Sequence, residues 1–201
     1  MLALVDPQPT GYPALLAMAA AFAAFLVSLA FARKRSETGG GEEGAKTAAS
    51  SWIGIGIQAL GFSTVGFGPI VIRQDPMSPL MLGEGAAAAL LMLTTLVLFI
   101  TASRAMGKNW SLVARTREDH QLVTWGPFAA VRHPIYTGLF AFMIAMAIAF
   151  GHYRGLILGM PLYWIGTWIR VAREEKLLRA QFGAAYDAYA ARVKRFVPGI
   201  V

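Results

Sequence analysis

Arg132, His133 and Tyr136 fall within one short stretch, TWGPFAAVRHPIYTGLF at 124–140, and two adjacent carboxylates, Glu174 and Glu175, follow well downstream. Together they form a set suited to a cationic, polar ligand. Carboxylates beside apolar sequence are costly unless they are paired. The ring faces of Tyr136, Phe128 and Trp125 attract a cation through their π-systems. Arg170, one helical turn before Glu174, offers a planar fork that meets an acidic group. Gly126 and Pro127 shape a turn, and Pro134 suits the first turn of a helix, where its missing N–H would be unsatisfied anyway. These residues make a site only if the elements between them bring them to one place.

Those elements are apolar. Of the 201 residues, 56% are hydrophobic and only 14% are charged, against roughly 25% charged in a soluble domain. Apolar runs at 12–32, 51–72, 85–102, 135–151 and 155–172 each approach the ~17–25 residues that cross a bilayer as a helix. The expected fold is therefore an all-α integral membrane protein of five transmembrane helices. The net charge of +7 is explained by topology rather than by nucleic acid. With the N-terminus outside, all 18 Lys and Arg except Arg73 and Arg154 fall on the cytosolic side, the positive-inside pattern. The first span has no basic residue before it and RKR after it at 33–35, which suits an uncleaved span rather than a signal peptide. Cysteine is absent, which removes disulfides and thiolate chemistry, and no metal-ligand cluster is apparent.

Two regions are expected. Residues 1–102 carry three spans and a flexible Gly-rich linker at 33–50; residues 103–201 carry a cytosolic loop, a helical hairpin of spans four and five, and a C-terminal amphipathic helix. Gly54, Gly56 and Gly61 in the second span read as close helix packing, with Gln58 a packing or hydrogen-bonding residue. Ala141, Ala145 and Ala149 on the fourth span and Gly155 and Gly159 on the fifth read as small surfaces that pack the two on each other. Phe182, Tyr186, Tyr189 and Val193 recur at helical spacing, as on a surface helix.

An antiparallel hairpin returns the chain to its starting level, so Tyr136 and Glu174 are expected to face each other at the cytosolic mouth. Each residue also has a plainer reading. Arg132 can snorkel to lipid phosphates, Tyr136 can anchor at the interface, and His133 can cap locally. Arg170 and Glu174 can simply pair along one helix face.

HQLVTWGPFAAVRHPIYTG at 120–138, followed by REEKLLRAQFGAAYDAYAARV at 173–193, resembles the isoprenylcysteine carboxyl methyltransferase family, which belongs with the phospholipid methyltransferases. The resemblance covers about half the chain. It implies methyl transfer from S-adenosylmethionine at the cytosolic side of a multi-pass membrane protein, in a form prokaryotic in style. By position, His120, Gln121, Leu122 and Val123 would contact the cofactor through their backbone, and Phe128 would line its pocket. His133, Pro134, Ile135 and Tyr136 would wrap its amino-acid and ribose portions. Glu174 would bind its α-ammonium end with Glu175 in support, and Arg170 would address the acceptor carboxylate, so that Arg170 and Glu174 are the expected catalytic pair. Phe128 stands where the family often has tyrosine. The implied partners are the lipid bilayer and a lipophilic acceptor, either a prenylated cysteine or a smaller lipidic acid, thiol or amine. A membrane reductase of related core using NADPH, and a non-catalytic transporter or scaffold, are the competing readings. A transporter would show repeated halves and polar residues at the midplane.

Overall fold

A computed structural model describes residues 6–37, 49–111 and 121–200. Of the linker expected at 33–50, residues 38–48 lie outside the described residues, as does His120, whereas 33–37 continue the first helix and 49–50 begin the second rather than forming linker. Five long helices account for most of the chain: α1 (Tyr12–Glu37), α2 (Ala49–Gly66), α3 (Pro79–Met106), α4 (Pro134–Phe150) and α5 (Leu156–Phe182), followed by a short α6 (Ala184–Arg192). Extended pairing among the described residues is limited to two isolated bridges, Thr10 with Ile72 and Val131 with Lys194. Three segments, Tyr12–Ser36, Pro79–Asn109 and Tyr153–Phe182, are long and apolar enough to cross a membrane, and Trp52–Gly66 and Pro134–Phe150 are shorter apolar helices. The 17 residues of α4 rise roughly 25 Å.

Two helix ends differ from the apolar runs, each for a local reason. The second helix stops at Gly66 rather than 72, because Pro69 lacks an N–H and disfavours helix in the residue before it. The fifth helix does not stop where its apolar run ends. It continues through REEKLLRAQF to Phe182 and breaks at Gly183, whose φ of +52° is left-handed backbone that glycine adopts without strain. Glu174 and Glu175 are thus on α5 itself. The expected amphipathic helix is split at that glycine: Phe182 closes α5, Tyr186 and Tyr189 belong to α6, and Val193 is extended.

The helices do not pair as the small-residue stripes suggested. Spans four and five are not packed tightly on each other: α5 lies along α2, while α3 lies between α1 and α4. Gly159 faces α2, where an added Cβ would stand 2.9 Å from Thr64 Oγ1 and 3.0 Å from Val65 Cγ2. Gly166 faces the same helix, its Cβ position 2.6 Å from the Gly54 carbonyl oxygen. On α4, Gly138 meets Leu98 and Thr95 of α3, and the Thr95 hydroxyl donates to the Gly138 carbonyl at 2.9 Å. Ala145 and Ala149 share a buried core with Ala88 and Met92 of α3 and Ala14 and Met18 of α1. Rings stand between α4 and α5 instead, with Phe140 centred 5.7 Å from Tyr163 and 5.1 Å from Trp164. Small stripes accept whichever helix offers a matching small surface, and here α2 with its glycines offers it to α5.

The α2–α5 crossing sets a first expectation. Gly166→Val forces carbon against a backbone oxygen that cannot move aside, an overpacking that costs about 1–3 kcal/mol. The melting temperature in detergent should fall, whereas Gly56→Val, whose Cβ has open space around it, should leave it nearly unchanged. Equal melting of the two variants would mean that the crossing tolerates bulk.

At the end of the bundle away from Glu174, the N-terminal segment ties the loops together. The Gln8 amide donates to the Gly151 carbonyl at 2.8 Å, and Thr10 exchanges backbone bonds with Val71 and Arg73. The buried His152 ring sets its two nitrogens 2.7 Å from the Val65 carbonyl and 3.1 Å from that of Pro69.

Candidate active site

The site is assembled around the start of α4. His133 occupies the cap position before Pro134, and the backbone of 132–133 is pinned by a later segment: Arg132 N–H donates to Lys194 O at 2.8 Å and His133 N–H to Arg195 O at 2.9 Å. The Thr137 hydroxyl extends this seam by donating to Phe196 O at 3.0 Å. α6 is fastened to the same place. Tyr189 donates its hydroxyl to Phe128 O at 2.7 Å, and Arg132 donates to Ala190 O at 2.7 Å. Burial pushes the Tyr189 phenol up to about 12, so it stays a neutral donor at physiological pH. The loop before α4 and the segment after α6 therefore form one polar wall over the end of α5.

Against that wall the two neighbouring carboxylates of α5 have opposite fates. Successive helical residues point about 100° apart, so Glu174 and Glu175 look in different directions. Glu175 is buried, with 4% of its side chain exposed, and its charge is taken up within the chain. Arg195 grips it through two bonds of 2.9 Å, Arg132 stands 3.1 Å away, His133 Nε2 lies at 3.3 Å and Arg179 at 3.9 Å. The bond to Glu175 holds the Arg195 guanidinium above its ordinary value despite burial. Glu174 keeps 26% of its side chain exposed. It accepts the Tyr136 hydroxyl, and His133 Nδ1 lies 3.6 Å from its second oxygen.

Tyr136 links this acidic seat to a basic one. Its ring lies 5.0 Å from the Arg170 guanidinium carbon, and its backbone carbonyl accepts the Tyr163 hydroxyl at 2.5 Å. Arg170 is buried and donates to Gln58 Oε1 of α2 at 2.7 Å. Trp164 packs inward against Phe196 at 4.9 Å, whereas Trp168 is half exposed with Arg195 over its ring at 5.1 Å.

Most of the expected residues do meet. His133, Tyr136, Arg170 and Glu174 gather within this network, and Tyr136 and Glu174 share one level as the hairpin geometry required. Glu175 is nearby, but it is occupied by the chain's own cations. Arg132 does not snorkel: its side chain is 8% exposed and pairs with Glu175. Pro134 is buried at the helix start. Ile135 turns away from Tyr136 and packs against a separate cluster of Phe25, Phe99 and Trp110. The Phe128 contact in this network is its carbonyl. Gln121 is exposed and Leu122 and Val123 are half-buried in the run before the Gly126–Ala129 turn. Among the described residues these three take no part in the polar network.

Gln58 and Arg195 join the site without having been expected there. The Gly-rich surroundings of Gln58 announced a close crossing, and a polar side chain at a close crossing was the available signal. Arg195 carried no signal, because its place depends on the short backbone seam between 131–133 and 194–195.

The comparisons with known proteins give this membrane-helix bundle its class. Residues 84–185 match the model of the phospholipid methyltransferase family, and the chain belongs to that family. It is 31% identical over 94 residues to a protein-S-isoprenylcysteine O-methyltransferase of Schizosaccharomyces pombe, covering 46% of this chain and 40% of that one. It is 34% identical over 112 residues to the protein of that name from Tribolium castaneum, covering 52% and 38%. Protein-S-isoprenylcysteine O-methyltransferase B of Arabidopsis thaliana is 31% identical over 99 residues, covering 49% of each chain. The matched region thus amounts to between 38% and 49% of the length of these curated relatives.

Proposed function

We propose that this protein is an integral-membrane methyltransferase that uses S-adenosylmethionine and methylates a lipophilic acceptor bearing a carboxylate, of the isoprenylcysteine type. In this reading five spans cross the membrane, the N-terminus is outside, and the site opens to the cytosol. The observation that carries it is the placement of Tyr136, which bonds Glu174 through its hydroxyl and lies beneath Arg170 with its ring. One side chain thereby separates a seat for a cation from a seat for an anion, the two charges that such a donor and such an acceptor bring. The names of the relatives support the same acceptor chemistry.

The donor set fits the cofactor. Glu174 is the more accessible carboxylate of the pair, and a partly exposed carboxylate flanked by a phenol and an imidazole suits an α-ammonium group. Held by Glu174 with Tyr136 and His133 around it, S-adenosylmethionine would supply an electrophilic methyl carbon that passes to an acceptor oxygen as its bond to the sulfonium sulfur breaks and the neutral thioether leaves. The protein's own work is alignment and exclusion of water, for which an in-line displacement has more use than an acid–base pair. Arg170 orients an acceptor carboxylate through its fork, and Phe140, Trp164 and Phe196 give the site an apolar flank.

The test is a titration of S-adenosylmethionine into the detergent-purified protein, followed by transfer of labelled methyl to S-farnesylcysteine. Saturable binding with label in the methyl ester is the expected result. A folded protein that ignores S-adenosylmethionine in detergent and in nanodiscs but binds NADPH would overturn the reading in favour of a reductase.

A further inference from the structure

We infer that Phe196, brought into the site by the segment after α6, is a specificity-determining residue whose ring limits how bulky an apolar tail the acceptor can carry. The inference deepens the reading above and rests on its lipophilic acceptor. Phe196 is buried and belongs to neither of the long helices that it touches. It packs in one cluster with Tyr136 of α4 and Val171 of α5. Its ring is centred 4.9 Å from that of Trp164 and 5.9 Å from that of His133. It is a wedge, set from outside between two helices that are not packed tightly on each other.

Two features set this ring apart from a routine core residue. The first is how its backbone is held. The Arg195 carbonyl accepts from His133 N–H at 2.9 Å, and the Phe196 carbonyl accepts from the Thr137 hydroxyl at 3.0 Å. The Arg195 guanidinium grips Glu175 of α5. The wedge is thus fastened to both helices, and a ligand meets it as a fixed wall. The second feature is its position relative to the chemistry. Phe140 and Trp164 fill the part of the gap farther from Glu174 along their helices. Phe196 packs against His133 and Tyr136, the two side chains that flank Glu174. An acceptor atom that reaches a methyl group held beside Glu174 brings the root of its tail to this corner. The tail and the ring then compete for one apolar volume, and close-packed interiors discriminate at the level of single methylene groups.

Binding of S-geranyl-, S-farnesyl- and S-geranylgeranylcysteine to the protein in nanodiscs, without cofactor, tests the inference by competition against labelled S-farnesylcysteine. Each variant is compared with the wild type at every length, which cancels the unequal partition of the ligands into lipid. Phe196→Ala should raise the preference for geranylgeranyl over farnesyl by roughly tenfold, the worth of added room for methylenes in an apolar pocket. Phe196→Trp should shift the preference the other way, toward geranyl. Loss of a large core side chain is destabilising, but a ratio of affinities does not depend on the folded fraction. Should Phe196→Ala not fold at all, Phe196→Leu and Phe196→Trp decide. Variants that bind all three ligands in the wild-type proportions, however weakly, would overturn the inference and make the ring a brace. A wild type that binds none of the three would overturn the acceptor reading and this inference together. Failure of the wild type to bind S-adenosylmethionine would instead count against the proposed cofactor, and it leaves the length ratios readable.

Discussion

Replacing Glu174 with glutamine is expected to weaken S-adenosylmethionine binding by roughly 10- to 100-fold, the worth of a hydrogen bond to a charged group, and to leave the fold intact. The amide keeps an oxygen for the Tyr136 hydroxyl, so the local bond survives while the charge that would meet the α-ammonium is gone. With 26% of the side chain exposed, the new NH2 group can find water. Calorimetric titration beside a thermal melt checks both halves. Unchanged affinity in a folded Glu174→Gln protein would remove Glu174 from the cofactor seat. Loss of the fold would show that the residue is structural.

The neighbouring position should behave in the opposite way. Glu175→Ala is expected to destabilise the protein by about 3–5 kcal/mol, because removing one partner of a buried ion pair strands the other charge. Here Arg132, Arg195 and His133 converge on a single buried carboxylate, and their segments belong to the loop before α4 and the seam after α6. Removing it frees the wall, not merely a contact. The variant should melt well below the wild type. Glu175→Gln, which keeps one acceptor oxygen for Arg195 but sets an NH2 against its other N–H, should lie between them. A Glu175→Ala protein that melts with the wild type would show that the cations find water or lipid at little cost.

The contrast between adjacent glutamates shows what the sequence could and could not reveal. The helical class was legible because apolar runs near bilayer length have few other uses. The meeting of Tyr136 with Glu174 was legible too, since helix rise alone puts them at one level. The division of labour within the pair was not. It depends on which carboxylate turns toward Arg195, and Arg195 reaches the site through a bridge between Val131 and Lys194 that no periodicity announces. Helix pairing misled for a related reason. The stripe on α5 was real, but a run of small residues does not name its partner, and α2 supplied Gly54 and Gly61 where α4 presented Phe140.

The crossing of α2 with α5 also bears on how such proteins can be recombined. The family match spans 84–185, yet Gln58 precedes it and Arg195 follows it, and both grip side chains inside it. A chimera that exchanged only the matched half between two relatives would set a foreign helix against Gly166 and a foreign anchor against Arg170. Exchange should succeed only where the second helix and the segment after α6 travel with that half, so the unit of inheritance is wider than the unit of resemblance.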